Sequence, residues 1–417
     1  MGESPLSPKR HLVEFYDREY LENVVSLLYG DYDDVTYVYF RSQAPRRQDR
    51  EGLERFVARK IGVQPRFLEV PEDSIPGTLA AMRARVEAGG PFDFDITGGS
   101  SIFVAAAGAL FARLGGEQVS LHEFNVAEGA WAFHCPDGSC VTPRQRPLPF
   151  TIEDMLGLQG IKVLREGRYP LAREGLREEI HRLWSAVRGE LRSWNTFCST
   201  AQKYTHAEGC LQGKKWMNDQ QYAASQPAVA ALKKAGILSH WQEKIQKKDR
   251  AVSFRLNVPD TAGILYEKAG NLLEMLTYAS ILDSGCFTDC RTGIELDREG
   301  ADKRRRSGPY NEIDVLALRG HIPYFISCKN THVENDYLYE ILTMTRYYGG
   351  AYAVPVLVTS VPSRAPLWAR AKEMGIRLID DVHEMSADVF AQTLCRVLGG
   401  DLGNGEDPRP DVCGCRT

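Results

Sequence analysis

Nowhere in its 417 residues does the chain hold an unbroken apolar run of about 18 residues, the length that a bilayer-crossing helix needs. Its first ten residues, MGESPLSPKR, lack the apolar stretch of a secretory leader, so a cytoplasmic location and no membrane partner are expected. Net charge is scarce as well. Lys and Arg number 51 against 55 Asp and Glu, leaving -4. That balance neither favours nor excludes an anionic partner, because a phosphate backbone answers to local basic surface. Candidate patches are Lys244, Lys247, Lys248 and Arg250, and the run Lys303, Arg304, Arg305 and Arg306. The ten cysteines show no spacing that reads as a disulfide framework, so reduced thiols are expected. Internal repeats are missing. So is the GxGxxG loop that, with an acidic ribose reader, would mark a dinucleotide cofactor.

The chain does have length and apolar content. At 43% apolar residues it can build true cores, and its length calls for two or three domains. Residues 11–134 alternate strand-like runs (LVEFY, VTYVYF, PRFLEV, FDFDI) with helical stretches at 21–28, 51–62, 77–90 and 102–116. A hairpin, EQVSLHEFNV with GAWAFHC, closes the unit. Such alternation implies a parallel, doubly wound sheet. The Pro-rich segment 135–150 reads as a linker. Residues 151–260 read as mostly helical, ending in an extended pair around HWQEKIQ and AVSFRLN, a winged-helix-like unit. Beyond Thr261 a helix over 263–282 leads to EIDVLALRG and YFISCKN. Then come helices at 332–348 and 363–374, strands at 351–360 and 376–380, and a last helix to about residue 399. The tail from Asp401 reads as disordered.

EIDVLALRG and YFISCKN are expected to be adjacent strands joined by a tight turn at 319–323. Alternation places Glu312 and Asp314 on one face, and Ser327 and Lys329 on one face of the next strand. Carboxylates at such a spot hold Mg²⁺ or Mn²⁺, which polarises phosphate and acidifies water. A lysine beside them steadies the developing charge. Asp314, Ser327 and Lys329 interrupt apolar strands where unpaired polar groups are costly. The bland alternative is a structural Asp314–Lys329 ion pair. Glu274, on the preceding helix, is a candidate second metal ligand. Thr331 and Glu334 have the spacing of a capping box.

The segment Thr97-Gly98-Gly99-Ser100-Ser101 follows the fourth strand and opens a helix, the place where an open α/β sheet binds ligands and a helix N-terminus favours phosphate. A plain turn with Ser100 or Ser101 as N-cap is the alternative.

Helix-borne Glu, strand-borne Asp, then x-Lys on the next strand resembles the PD-(D/E)xK nucleases, with Ser327 standing where an acid is usual. Glu312, Glu274 or Glu340 would then compensate. With ITGGSS added, residues 11–400 resemble the CARF-domain nucleases that accompany type III CRISPR systems. The resemblance implies an α/β protein with a Rossmann-like CARF domain at 1–145, a winged-helix-like linker domain at 146–260, a restriction-endonuclease-like domain at 261–400 and a tail at 401–417. It further implies a homodimer that binds a cyclic oligoadenylate, cyclic tetraadenylate by analogy, and cleaves DNA or RNA. Asp17 and Arg18 after strand one and Arg41 and Ser42 after strand two are candidate ligand contacts. Two other readings stay open, an unregulated restriction or repair nuclease and a ligand-responsive regulator with a dead nuclease domain. Cys135 with Cys140, and Cys413 with Cys415, lack partner pairs for zinc. Cys328 reads as a small core residue, and His122, His134 and His206 have no catalytic setting.

Overall fold

A computed structural model describes residues 10–70, 73–87, 91–114, 118–134, 147–167, 175–207, 210–246, 249–297 and 311–399. The N-terminal unit is a six-stranded sheet. Its strands are β1 (His11–Phe15), β2 (Asp34–Phe40), β3 (Arg66–Val70), β4 (Phe92–Asp95), β5 (Val119–Asn125) and β6 (Ala130–His134). The connecting helices are α1 (Val25–Tyr29), α2 (Arg47–Ile61), α3 (Ile75–Glu87) and α4 (Ser101–Leu114). Strand order is β3-β2-β1-β4-β5-β6, all parallel except the β5–β6 hairpin. The order reverses between β1 and β4, so the crevice at the carboxyl ends of those two strands is the natural ligand position.

The central unit holds α5 (Ile152–Leu158), β7 (Lys162–Arg165), α6 (Leu176–Val187), α7 (Leu191–Ser199), β8 (Ala201–Ala207), β9 (Cys210–Asn218), α8 (Asp219–Lys234), β10 (Leu238–Gln246) and β11 (Asp249–Leu256). Strands β10-β11-β9-β8 form one antiparallel sheet, so this unit is less helical than its sequence reads. From Leu211 onward the alternation of β9 is regular, with every second residue buried. Lys215 and Gly213, which sit in that buried set, hide the pattern from a sequence reading.

The C-terminal unit carries α9 (Asn271–Ser284), β12 (Asp289–Asp297), β13 (Asn311–Arg319), β14 (Ile322–Lys329), α10 (Asn335–Gly349), β15 (Val354–Thr359), α11 (Ala365–Glu373), β16 (Arg377–Ile379) and α12 (Ala387–Gly399). Its sheet runs β16-β15-β14-β13-β12-β7. Several expectations change here. The expected helix over 263–282 is a 3₁₀ segment at Asp260–Tyr266 followed by α9, because Gly270 at the N-cap restarts the helix. Strand β12 goes unseen in the sequence, since Gly293 (φ 59°) interrupts its centre. Strand β7 crosses from the central segment to pair antiparallel with β12, so the boundary expected at residue 260 does not separate the sheets. Helix α10 starts at Asn335 with Glu334 as an N-cap whose side chain makes no cap bond, so no capping box forms.

Two cysteines depart from expectation. Cys286, beyond the end of α9, is disulfide-bonded to Cys395 of α12. Cys198, Cys210, Cys290 and Cys328 are free thiols. Cys135, Cys140, Cys413 and Cys415 lie outside the described residues, as do Lys303, Arg304, Arg305 and Arg306, most of the linker expected at 135–150, and the tail. No helix is long and apolar enough among the described residues to cross a membrane.

Candidate active site and ligand loop

Strands β13 and β14 form a hairpin with Gly320 and His321 at its tip and a register pairing Arg319 with Ile322 through Val315 with Ile326. One step further along, at the open end, Asp314 and Ser327 face each other, with Ser327 Oγ donating to Asp314 Oδ2 at 3.3 Å. The Cys328 amide donates to the same oxygen at 2.7 Å. Glu274 reaches the spot from α9. Its Oε1 lies 2.8 Å from Thr292 Oγ1 of β12, which lies 2.8 Å from the Asp314 carbonyl oxygen. Thr292 has one proton to donate, so a proton on Glu274 completes this chain.

The electrostatics agree. Burial, then repulsion from Asp314, pushes the Glu274 carboxyl up to about 8, with Glu312 adding to the rise. Burial also raises Asp314, against the Cys328 amide, the Lys329 charge and Ser327, which favour its ionised form. Three carboxylates and one ammonium therefore feel one another across this end of the hairpin. Lys329 Nζ sits 5.3 Å from the centre of the Tyr337 ring, and no direct Lys329–Asp314 ion pair forms among the described residues. The buried ion pair weighed as the bland alternative is absent there.

Glu312 is exposed on β13 and lies opposite Glu295 of β12. Glu340 is exposed on α10 in a surface groove with Tyr339 and Met344. No group of three or more His, Cys, Asp or Glu forms a metal cage among the described residues. Two mutually repelling carboxylates nevertheless suit Mg²⁺ or Mn²⁺, ions commonly held by one or two carboxylates plus waters and substrate phosphate. Thr292 is the site residue that sequence reasoning missed. Its only signal was the alternation Cys290, Thr292, Ile294, broken by Gly293.

Cys328 is packed with its Sγ 3.4 Å from Thr277 Oγ1, and burial holds its thiol well above the usual range. That is the setting of a core residue.

At the other site, the loop 97–101 leaves β4 where the sheet order reverses. Asp95 accepts from the Thr97 amide (2.7 Å), and Thr97 Oγ1 accepts from the Phe124 amide (2.7 Å). A Cβ on Gly98 would meet Glu22 Oε2 at 2.6 Å, and one on Gly99 (φ 92°) would meet Phe15 at 2.8 Å. Gly99 is thus required by its backbone conformation and by packing before any ligand is considered, whereas at Gly98 only the mobile end of Glu22 would have to move. Ser100 Oγ accepts from the Phe103 amide (3.3 Å) and acts as the N-cap of α4, while Ser101 is exposed. Asp17 accepts from the Glu19 amide (2.9 Å), and with Arg18 it lines a small cleft with Tyr16, Arg46 and Gln159. Arg41 is ion-paired with Glu69 at 2.7 Å, and Ser42 donates to Asp73. The last two are engaged within their own sheet edge.

His122, which the sequence left without a role, is fully buried beneath this loop. Its Nε2 lies 3.2 Å from Ser26 Oγ and 3.4 Å from Asp95 Oδ2. Ser26 also bonds Asp95. Burial alone would raise Asp95; the His122 charge and the Ser26 and Thr97 bonds hold it below the usual range. Glu14 beside it is pushed well up by burial and by the Asp95 charge. The side chains of His134 and His206 lie outside the described residues.

The hairpin that carries the active site also reaches into the N-terminal unit. His321 at the tip is buried in the N-terminal unit, its Nε2 2.8 Å from the Val126 carbonyl and its Nδ1 3.0 Å from Tyr29 Oη. A carbonyl only accepts, so Nε2 carries the proton and Nδ1 accepts from Tyr29. Burial lowers the His321 pKa, consistent with the neutral ring. A second contact runs from the ligand loop outward. Glu22, which crowds Gly98, accepts from Tyr352 Oη (2.7 Å), and Glu19 accepts from the Ala351 amide (2.7 Å).

A comparison with curated proteins found no match. Among solved structures, protein VC1899 from Vibrio cholerae aligns with a TM-score of 0.70 at 16% identity, covering 93% of this chain and 98% of that one. Can2 from Sulfobacillus thermosulfidooxidans, solved in complex with cyclic tetra-adenylate, aligns with a TM-score of 0.61 at 15% identity, covering 95% of this chain and 100% of that one. The α/β fold expected from the sequence is thus shared along nearly the whole chain. Residues 266–388, the stretch that contains Glu274, Asp314, Ser327 and Lys329, match the family model of the Card1-like endonuclease domain.

Proposed function

We propose that this chain is a divalent-metal-dependent nuclease of type III CRISPR defence, switched on by a cyclic oligoadenylate at the loop 97–101. The observation that carries the reading is the β13–β14 hairpin, with Asp314, Ser327 and Lys329 at its open end and His321 clamped in the sensor unit. Glu274 and Asp314 would hold Mn²⁺ or Mg²⁺, with Glu312 at the rim. The ion, when bound, polarises the scissile phosphate of DNA or RNA and acidifies a water. Lys329 steadies the charge that develops on the phosphate, and Ser327 fixes the Asp314 carboxylate.

In the sensor, the N-terminus of α4 and the hydroxyls of Thr97, Ser100 and Ser101 suit phosphate. Asp17 and Arg18 follow β1, the strand next to β4, and line a cleft with Arg46 and Gln159. Arg41 and Ser42 would have to leave Glu69 and Asp73 to reach a ligand. A ring with two-fold symmetry fits a homodimer that places two such loops around it. The Can2 structure, which holds cyclic tetra-adenylate, supports that ring size.

Calorimetric titration of the full chain with cyclic tetraadenylate should give one ring per two chains, and Ser101→Glu should abolish the heat. No binding by the wild type, or equal binding by Ser101→Glu, would refute the sensor assignment.

A further inference from the structure

The sheet β10-β11-β9-β8 has an inner face packed on α7 and α8 and an outer face with no covering element among the described residues. Register fixes which residues share the outer face. Lys203 of β8 lies opposite Lys214 of β9, which lies opposite Ser253 of β11, which lies opposite Gln242 of β10. The next row pairs Thr205, Gln212, Arg255 and Ser239. These rows line a shallow groove of about 540 Å³ that also includes His240 and no carboxylate. Lys203, Lys214, Arg255 and Lys244 are exposed, and none joins an ion pair among the described residues. Two lysines directly opposite each other repel, and among the described residues of the sheet no carboxylate relieves them. Trp216, next along β9 on the same face, is 37% exposed, with Lys214 Nζ 5.3 Å from its ring centre.

Unrelieved cations in rows spaced by the strand repeat, beside an exposed indole, are complementary to a run of phosphates with unstacked bases. The sheet also lies next to the candidate catalytic helix. Gln202 of β8 donates to the Glu267 carbonyl (2.6 Å), and the following Lys268 acts on Glu274 through its charge.

We propose that this face binds the single-stranded part of the nucleic-acid substrate that flanks the cut. It sets affinity and leaves the chemistry to Glu274, Asp314 and Lys329. The inference rests on the nuclease reading above for the word substrate, but binding can be measured without cleavage.

The test is fluorescence anisotropy of the full chain with labelled 30-nucleotide DNA and RNA strands in EDTA, across a salt series. The triple variant Lys203→Gln, Lys214→Gln, Arg255→Gln should bind at least tenfold more weakly. Its slope of log affinity against log salt should be shallower by about 2, at roughly 0.7 for each single-strand phosphate that the variant leaves unneutralised. Trp216→Ala should weaken binding with no change in that slope. Wild-type strength in the triple variant, no binding of either strand by the wild type, or tighter binding of the matched duplex would overturn the proposal. Charge-dependent binding by a chain that never cuts with Mn²⁺ would overturn the nuclease reading instead.

Discussion

Burial, and then repulsion from Asp314, disfavours the charged Glu274 carboxylate, and the consequence is measurable without substrate. The folded Glu274 carboxyl titrates at about 8 against 4.5 for the ordinary group. Its contribution to stability is therefore fully present below the unfolded value and is lost as pH rises through the folded one. The metal-free chain should lose stability between about pH 4.5 and about pH 8. Glu274→Gln removes the titrating group, so its melting temperature should exceed that of the wild type at pH 8 in EDTA. A lower value there would contradict the unfavourable charge proposed for Glu274. Asp314→Ala and Lys329→Ala should each lower cleavage by roughly a hundredfold or more, the scale of losing one electrostatic stabiliser. Both should leave ligand binding intact. Ser327→Asp adds a carboxylate beside Asp314, so the Mn²⁺ concentration for half-maximal cleavage should fall. At this scale the sequence was informative for Asp314, Ser327 and Lys329, because polar residues inside apolar strands stand out. Thr292 did not stand out, as a threonine in a strand has an ordinary structural reason to be there.

Elements transmit what residues do. From Asp314 to the turn at Gly320 the hairpin spans roughly 20 Å, taking about 3.3 Å per strand residue. Its tip thus reaches the N-terminal unit while its open end lies in the C-terminal one. A stiff antiparallel pair moves at both ends when its tip moves, and His321 holds that tip by two polar contacts. His321→Ala should leave cyclic tetraadenylate affinity nearly unchanged while reducing the ratio of activated to basal cleavage by roughly 5- to 150-fold, the usual range of a coupling free energy. An unchanged ratio would remove the hairpin from the switching mechanism. Gly99→Ala should destabilise the sensor by about 1–3 kcal/mol, because φ of 92° and the Phe15 contact oppose a side chain at once. Thermal denaturation checks it. The alternating elements of residues 11–134 were legible because strand and helix periods differ sharply there. Strands β7 and β12 were not, because β7 is four residues long with no buried position and β12 carries Gly293 at its centre. The partnership between them, across more than a hundred residues of sequence, is a tertiary fact that no local pattern contains.

On the scale of the molecule, three units share a continuous buried core that runs from Leu12 of β1 to Leu398 of α12. The units do not behave as beads on a string. Asp289 accepts from the Ile152 amide (2.9 Å), Gln159 donates to the Tyr348 carbonyl (2.8 Å), and Trp184 donates to the Met385 carbonyl (2.9 Å). A ligand in the crevice between β1 and β4 thus has packed material through which to favour one arrangement of the nuclease end. The decisive measurement is cleavage of single-stranded DNA, supercoiled DNA and RNA by the wild-type chain in Mn²⁺, with and without cyclic tetraadenylate, beside Asp314→Ala. Cleavage of at least one substrate that rises sharply with the ring and vanishes in Asp314→Ala is the expected result. Equal cleavage with and without the ring, or cleavage that survives Asp314→Ala, would contradict it.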